Sequence, residues 1–249
     1  MTEHVQVSTA DGVLTIRMYR PEKKNALTRA MYFAMDQALE LAERTEDIRV
    51  VLITGSGDSY TAGNDISDFR QSSPHEEPSG ASMFGDRIVG FAKPVVAAVN
   101  GLAVGIGATM LLHCDLVYAC EQARFRFPFV DLGLVPEMAS SLLLPRLAGY
   151  HRAAELFLLG RFFSAAEAKA AGLVNHVLPP AELLGHALAA ARAISAKSPQ
   201  AVAQTRALLK GNIASILAHR SMEGAIFEER RRSPEAQAIF AAFIARTAA

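Results

Sequence analysis

The sequence predicts an α/β fold with a helical C-terminal region, and three observations carry that expectation. Apolar runs without alternation, Arg49–Thr54 and Pro94–Val99, are separated by helix-period segments, as buried strands are when helices cover the sheet. Glycine turns follow those strands, at Gly55-Ser56-Gly57 and Asn100-Gly101, where α/β folds usually bind ligands. From Pro145 onward strand signals nearly vanish, apart from Leu173–Leu178, and alanine-rich amphipathic segments take over.

In chain order, Val5–Thr9 and Val13–Met18 flank Asp11-Gly12, a type I′ turn signal, and read as a hairpin. Asn25–Glu43 reads as a helix, with Thr28 as its N-cap and Met31, Met35, Ala38, Leu39 and Ala42 forming one apolar stripe. After the Arg49–Thr54 strand, Gln71–Ser82 is rich in Pro, Ser, Gly and Glu without periodicity, and is expected to be a mobile loop bordering the ligand site. Met83–Phe91 reads as a helix and Pro94–Val99 as a strand. Gly105-Ile106-Gly107 opens a short helix through Leu112, and Asp115–Ala119 is the next strand. Ala181–Ala196, Ser198–Lys210, Ile213–Arg231 and Pro234–Arg246 are the C-terminal helices, which either cover the site or pack against another subunit.

Composition narrows the function. Twenty-five basic residues balance 25 acidic ones among 249, so no net field exists to hold nucleic acid or an anionic membrane. At 51% hydrophobic, the chain better suits a small, mostly apolar ligand or a protein partner. Cys114 and Cys120 form no disulfide framework or thiolate cage, and the seven histidines show no metal-ligand spacing, so no metal site is expected. The polar N-terminus lacks a secretory pattern, and Pro94–Cys114 is too broken by Asn100, the glycines and His113 to be a membrane span. With no peroxisomal tripeptide at Thr247-Ala248-Ala249, a bacterial cytoplasm is the expected compartment.

Four segments could carry chemistry: YTAGNDI (Tyr60–Ile66), NGLAVGIG (Asn100–Gly107), RFPF (Arg126–Phe129) and GLVPEMASS (Gly133–Ser141). Singly, their glycines need be no more than tight turns and packing points. Together with RPEKKNAL at Arg20–Leu27 and AGLVNHVLP at Ala171–Pro179, in this order and spacing, the chain resembles the enoyl-CoA hydratase/isomerase (crotonase) superfamily over nearly its whole length. The resemblance implies a crotonase-like spiral of ββα units, a homotrimer or dimer of trimers, and an acyl-CoA substrate. Coenzyme A would be part of that substrate, with no further cofactor. It also implies an oxyanion hole made by the amides of Asn64 and Ile106, with Ala62, Gly63, Asp65, Ile66, Gly105 and Gly107 around the ligand. Amides at a loop and a helix N-terminus are preorganised for negative charge, each donor worth ~10²–10³ in rate.

Hydratases of the family carry two glutamates at positions that here hold Thr109 and Phe129, so both residues would touch substrate without managing water. Glu137, eight positions after Phe129, matches the single base of the Δ3,Δ2-enoyl-CoA isomerase branch. One carboxylate suffices there, because it removes a proton from C2 and returns it to C4. Apolar neighbours Phe129, Val135, Met138 and Leu134 would raise its pKa. The alternative for Glu137 is a helix-start residue beside Pro136. Asp131 is either a turn cap or the acid of a related dienoyl-CoA chemistry. Arg20, Lys23 and Lys24 are either coenzyme A contacts or solvated charge, and Arg230-Arg231-Arg232 is a solvated face or an intersubunit contact.

The expected organisation is residues 1–195 as the core with the acyl-CoA site and 196–249 as a helical region for oligomerisation. The expected function is acyl-CoA isomerisation. Its competitors are another superfamily reaction, hydration or dienoyl-CoA isomerisation, and a non-catalytic acyl-CoA-binding protein.

Overall fold

The computed structural model describes residues 2–70 and 80–248. Two sheets organise the first two thirds of the chain. The larger has six strands: β1 (Val5–Ala10), β2 (Val13–Met18), β3 (Val50–Gly55), β5 (Val95–Val99), β7 (Leu116–Cys120) and β10 (His176–Leu178), in that spatial order. β1 and β2 form the expected antiparallel hairpin, with Asp11 and Gly12 both at positive φ; every other pairing is parallel. The smaller has four: β4 (Ser59–Thr61), β6 (Leu102–Val104), β8 (Arg124–Arg126) and β9 (Phe163–Ser164).

Strands 3 to 8 alternate between the sheets in chain order, so β3–β4, β5–β6 and β7–β8 each contribute one strand to each layer before a helical segment follows. This is the expected spiral of ββα units. Residues 50–54 and 95–99 are buried throughout, which is why their sequences show apolar runs without alternation.

The first helix differs from its expected start. It begins at Arg29, with the Thr28 side chain accepting from the Met31 amide at 3.3 Å. Lys24 and Asn25 adopt left-handed φ values of 51° and 55°, which stops any helix there. Asn25 is fully buried and ties three segments together. Its Oδ1 accepts from the Arg20 amide at 2.8 Å, and its Nδ2 donates to the Ser56 and Ser59 carbonyls at 2.9 and 2.7 Å.

Residues 71–79 of the expected Gln71–Ser82 loop lie outside the described residues, and Gly80 already opens the Gly80–Gly90 helix. The glycine turn opens an α-helical stretch, Ile106–Thr109, that tightens into a 3₁₀ turn at Met110–His113.

Helix Pro180–Ser195 packs on β3, β5 and β7. Helix Pro199–Lys210 is anchored to the same sheet by Arg206, whose Nε donates to both Asp115 oxygens at 2.9 and 2.8 Å, while Asp115 Oδ2 accepts from the Val95 amide at 2.7 Å. Helices Ile213–Arg232 and Pro234–Ala248 fold back over Gly80–Gly90 and Ile66–Arg70. The arginine run is not a purely solvated face: Arg231 is buried beside Glu228, and Arg230 Nε donates to the Gly133 carbonyl at 3.0 Å. Among the described residues no helix is long and apolar enough to cross a membrane.

Candidate active site

The ends of β4, β6 and β8 open on one cavity of about 410 Å³. Each short strand delivers one wall.

After β4 the chain runs through Ala62, Gly63 and Asn64 beside Leu27. The Leu27 amide donates to the Gly63 carbonyl at 2.8 Å and the Asp65 amide to the Leu27 carbonyl at 2.9 Å, which leaves the Asn64 amide between them without an acceptor among the described residues. Gly63 has φ +90°, and a Cβ there would lie 2.8 Å from the Val104 carbonyl oxygen, so no side chain fits between β4 and β6. Asp65 fixes the same loop. Arg20 Nη1 donates to its Oδ2 at 2.7 Å, and its Oδ1 accepts from the Ser67 and Asp68 amides at 3.0 and 3.3 Å, capping the short Ile66–Arg70 helix. The Asn64 side chain is held too, with Tyr32 Oη donating to its Oδ1 at 2.5 Å. Burial, with the nearby Glu137 charge adding to it, holds the Tyr32 phenol well above its ordinary pKa, so it stays a donor.

After β6, Gly105 turns the chain so that Ile106 starts the next helix. The Gly105 carbonyl accepts from the Ala108 and Thr109 amides at 2.9 Å each, while the Ile106 amide, in the first turn, has no acceptor among the described residues. Two unpaired backbone donors, Asn64 and Ile106, therefore border one cavity.

After β8 come Pro128 and Phe129 at the wall and then Glu137. Glu137 is not a helix-start residue, because the next helix begins at Ser140 and both Met138 and Ala139 intervene at left-handed φ values of 60° and 54°. Consecutive left-handed residues other than glycine cost about 1–2 kcal/mol each and persist only where the surroundings impose them. His113 does so here: its Nε2–H donates to the Met138 carbonyl at 2.8 Å, and burial pushes the ring pKa down to about 3, so it remains neutral. The kink turns the Glu137 carboxylate toward the Ile106–Thr109 helix, where Oε1 accepts from Thr109 Oγ1 at 2.5 Å.

Burial raises Glu137 to about 7, against the Thr109 hydrogen bond, with the Glu223 charge adding to the rise and Arg220 opposing it. Glu223 lies behind the site on helix Ile213–Arg232. It accepts from the Ser141 amide at 2.9 Å and from Ser141 Oγ at 2.5 Å, and so caps the helix that follows Glu137. His219 Nε2 lies 2.9 Å from Ser141 Oγ, but no acyl-transfer triad results, since the serine proton points to Glu223 and Ser141 does not line the cavity.

Of the expected site residues, Glu137, Asn64, Ile106, Ala62, Gly63, Asp65, Ile66, Gly105 and Phe129 line the cavity. Four do not. Lys24 Nζ pairs with Asp58 at 2.5 Å, and the neighbouring Lys23 lines the cavity instead. Gly107 is a packing point, where a Cβ would come within 2.6 Å of Thr61 Cγ2. Thr109 is fully buried and reaches Glu137 rather than the open space. Asp131 points outward to Arg126, with Nη2 to Oδ2 at 2.8 Å. Sequence reasoning missed Phe227, Phe243 and Ile244, which bring the C-terminal helices to the cavity, and Tyr32, whose polar tip on an apolar helix stripe was the available signal. Among the described residues no group of three or more His, Cys, Asp or Glu could hold a metal.

Two layers of parallel ββα units around a pocket of free amides define the fold class, and the comparisons agree with it. A family model described as enoyl-CoA hydratase/isomerase matches residues 8–246, and the chain belongs to that family, within the crotonase superfamily. "Enoyl-CoA delta isomerase 2" of Rattus norvegicus is 41% identical over 181 residues, a match covering 70% of this chain and 46% of that protein. The chain thus spans about half the length of this curated relative. The crystal structure of an enoyl-CoA hydratase/isomerase from Pseudoalteromonas atlantica T6c superposes with a TM-score of 0.94 at 42% identity, over 98% of both chains. Pseudomonas aeruginosa OdaA gives 0.93 at 48% identity, over 97% of this chain and 99% of that one.

Proposed function

We propose that the protein is an acyl-CoA isomerase that converts a 3-enoyl-CoA into the conjugated 2-trans-enoyl-CoA. One observation carries this reading: the cavity holds a carboxylate in the state a carbon acid requires, Glu137 at about 7, beside two backbone donors with no acceptor among the described residues. The other carboxylate lining it among the described residues, Asp65, is tied to Arg20 and to the helix cap, and is held below the usual carboxylate range by those hydrogen bonds against the cost of burial.

The thioester oxygen sits on the Asn64 and Ile106 amides. Glu137 removes a proton from C2, and the electron pair moves onto that oxygen as the dienolate. The same carboxyl returns the proton to C4 as the electrons flow back, leaving the double bond between C2 and C3. A base near pH 7 is matched to this work, whereas a free carboxylate near 4 would be too weak. Hydration needs a second carboxylate to position water, and Thr109 and Phe129 stand where one would be. The printed name of the rat relative supports the same choice within the family. No cofactor beyond the coenzyme A of the substrate enters the reaction. The test is turnover of a 3-enoyl-CoA followed by absorbance of the conjugated product, beside hydration of crotonyl-CoA. Isomerisation well above hydration is expected, and the reverse ranking overturns the reading.

A further inference from the structure

We infer that Thr109 is a positioning residue for Glu137: its hydroxyl occupies Oε1 so that the transferred proton is carried on Oε2 in both legs of the reaction. This rests on the isomerase reading and adds to it an atom-level assignment.

The geometry is specific. Thr109 is fully buried and does not line the cavity, so it cannot touch substrate, yet its Oγ1 donates to Glu137 Oε1 at 2.5 Å. A helical threonine commonly turns its hydroxyl back to the carbonyl four residues earlier. Here the Gly105 carbonyl is already taken by the Ala108 and Thr109 amides, and the hydroxyl proton goes to the carboxylate instead. The Thr109 proton takes one lone pair of Oε1, while Oε2 accepts from no donor among the described residues, so Oε2 is the oxygen with both lone pairs open to a substrate proton.

The same four-residue helix begins with the Ile106 amide and ends with Thr109. One rigid turn thus fixes the distance between an oxyanion donor and the base. Among the described residues, the other polar and charged groups facing Glu137 are Glu223 and Arg220, from helix Ile213–Arg232, and Tyr32, from the first helix, and Thr109 alone donates to its carboxylate. The hydrogen bond favours the ionised form, so it also keeps the base available at neutral pH against the burial that raises it.

The test compares the parent with Thr109→Val, which keeps the shape and removes the hydroxyl, Thr109→Ser, which restores it, and Glu137→Gln. Each is assayed on a 3-enoyl-CoA across pH. Thr109→Val should lower kcat about tenfold or more, as loss of a hydrogen bond to a charged group does. It should leave KM within about twofold and move the acid limb of the profile to higher pH. Thr109→Ser should return both toward the parent. Should the valine variant fail to fold, Thr109→Ala removes the same hydroxyl and must show the same shift. A valine or alanine variant with the parental kcat and the parental acid limb, beside an inactive Glu137→Gln, overturns this inference alone. Parental turnover by Glu137→Gln overturns the base assignment and this inference with it.

Discussion

The two sheets of this molecule do different work. The larger has six strands, mostly five or six residues long, and its central members are buried on both faces. The smaller is made of strands of two or three residues, too short to hold together by their own ladder bonds. Yet the smaller sheet delivers most of the cavity wall that comes from the core, Asn64 after β4, Ile106 after β6, Phe129 and Glu137 after β8, while the larger adds Lys23 and Ala26 after β2. The lesson is a division of labour. Long strands supply burial and hence stability, and short strands, whose register is imposed by the larger layer, place irregular backbone where its amides can stay unpaired.

Substitutions in the two layers should therefore separate activity from stability. The largest kinetic effect is expected at Glu137. Glu137→Gln should reduce isomerisation by ~10²–10⁴ while acyl-CoA binding persists, checked by steady-state turnover and calorimetric titration. The same variant should be more stable than the parent at pH 8. Glu137 is raised to about 7 in the folded state from an ordinary 4.5, so folding favours its protonated form. That contribution is complete below about 4.5 and is lost as pH rises through about 7. An amide escapes the loss, worth on the order of 2 kcal/mol given the carboxyl's partial opening to the cavity. Thermal melts at pH 5 and pH 8 should show the gain only at the higher value; a Glu137→Gln protein less stable at pH 8 would make the carboxylate a structural group.

Leu52→Ala, in the middle of β3, is expected to do the opposite. It opens a cavity in the fully buried layer and should cost about 2–5 kcal/mol in denaturant unfolding, with kcat per folded molecule within about twofold of the parent. If turnover fell in step with stability, the two layers would not be separable. Smaller again is Tyr32→Phe, which frees the Asn64 side chain without touching its amide. Loss of one neutral hydrogen bond should cost about two- to tenfold in kcat/KM. The smallest effect belongs to Asp131→Asn. The Asp131 carboxyl is exposed and, among the described residues, pairs with Arg126 alone, so stability should change by less than about 1 kcal/mol and isomerisation little. An Asp131→Asn enzyme that lost isomerisation while Glu137→Gln kept it would move the base to the other carboxylate.

What the sequence determined by itself follows from local physics. Apolar runs marked β3 and β5, Asp11-Gly12 marked the hairpin, and Thr28 marked a cap, because burial, turn geometry and capping each leave a short-range pattern. Glycines at 63 and 105 and the lone Glu137 marked the site through the order of their motifs. The strands β4, β6, β8 and β9 left no such mark, because two or three residues carry no periodicity and pair only where the larger sheet brings them together. Only the tertiary structure turned Thr109 from a substrate neighbour into the partner of Glu137 and sent Asp131 outward to Arg126. Those outcomes depend on the direction of a side chain across 28 and five residues, respectively. The closing of the cavity by Phe227, Phe243 and Ile244 was decided there as well: a helix period tells which face is apolar, and the path of the chain decides what that face meets.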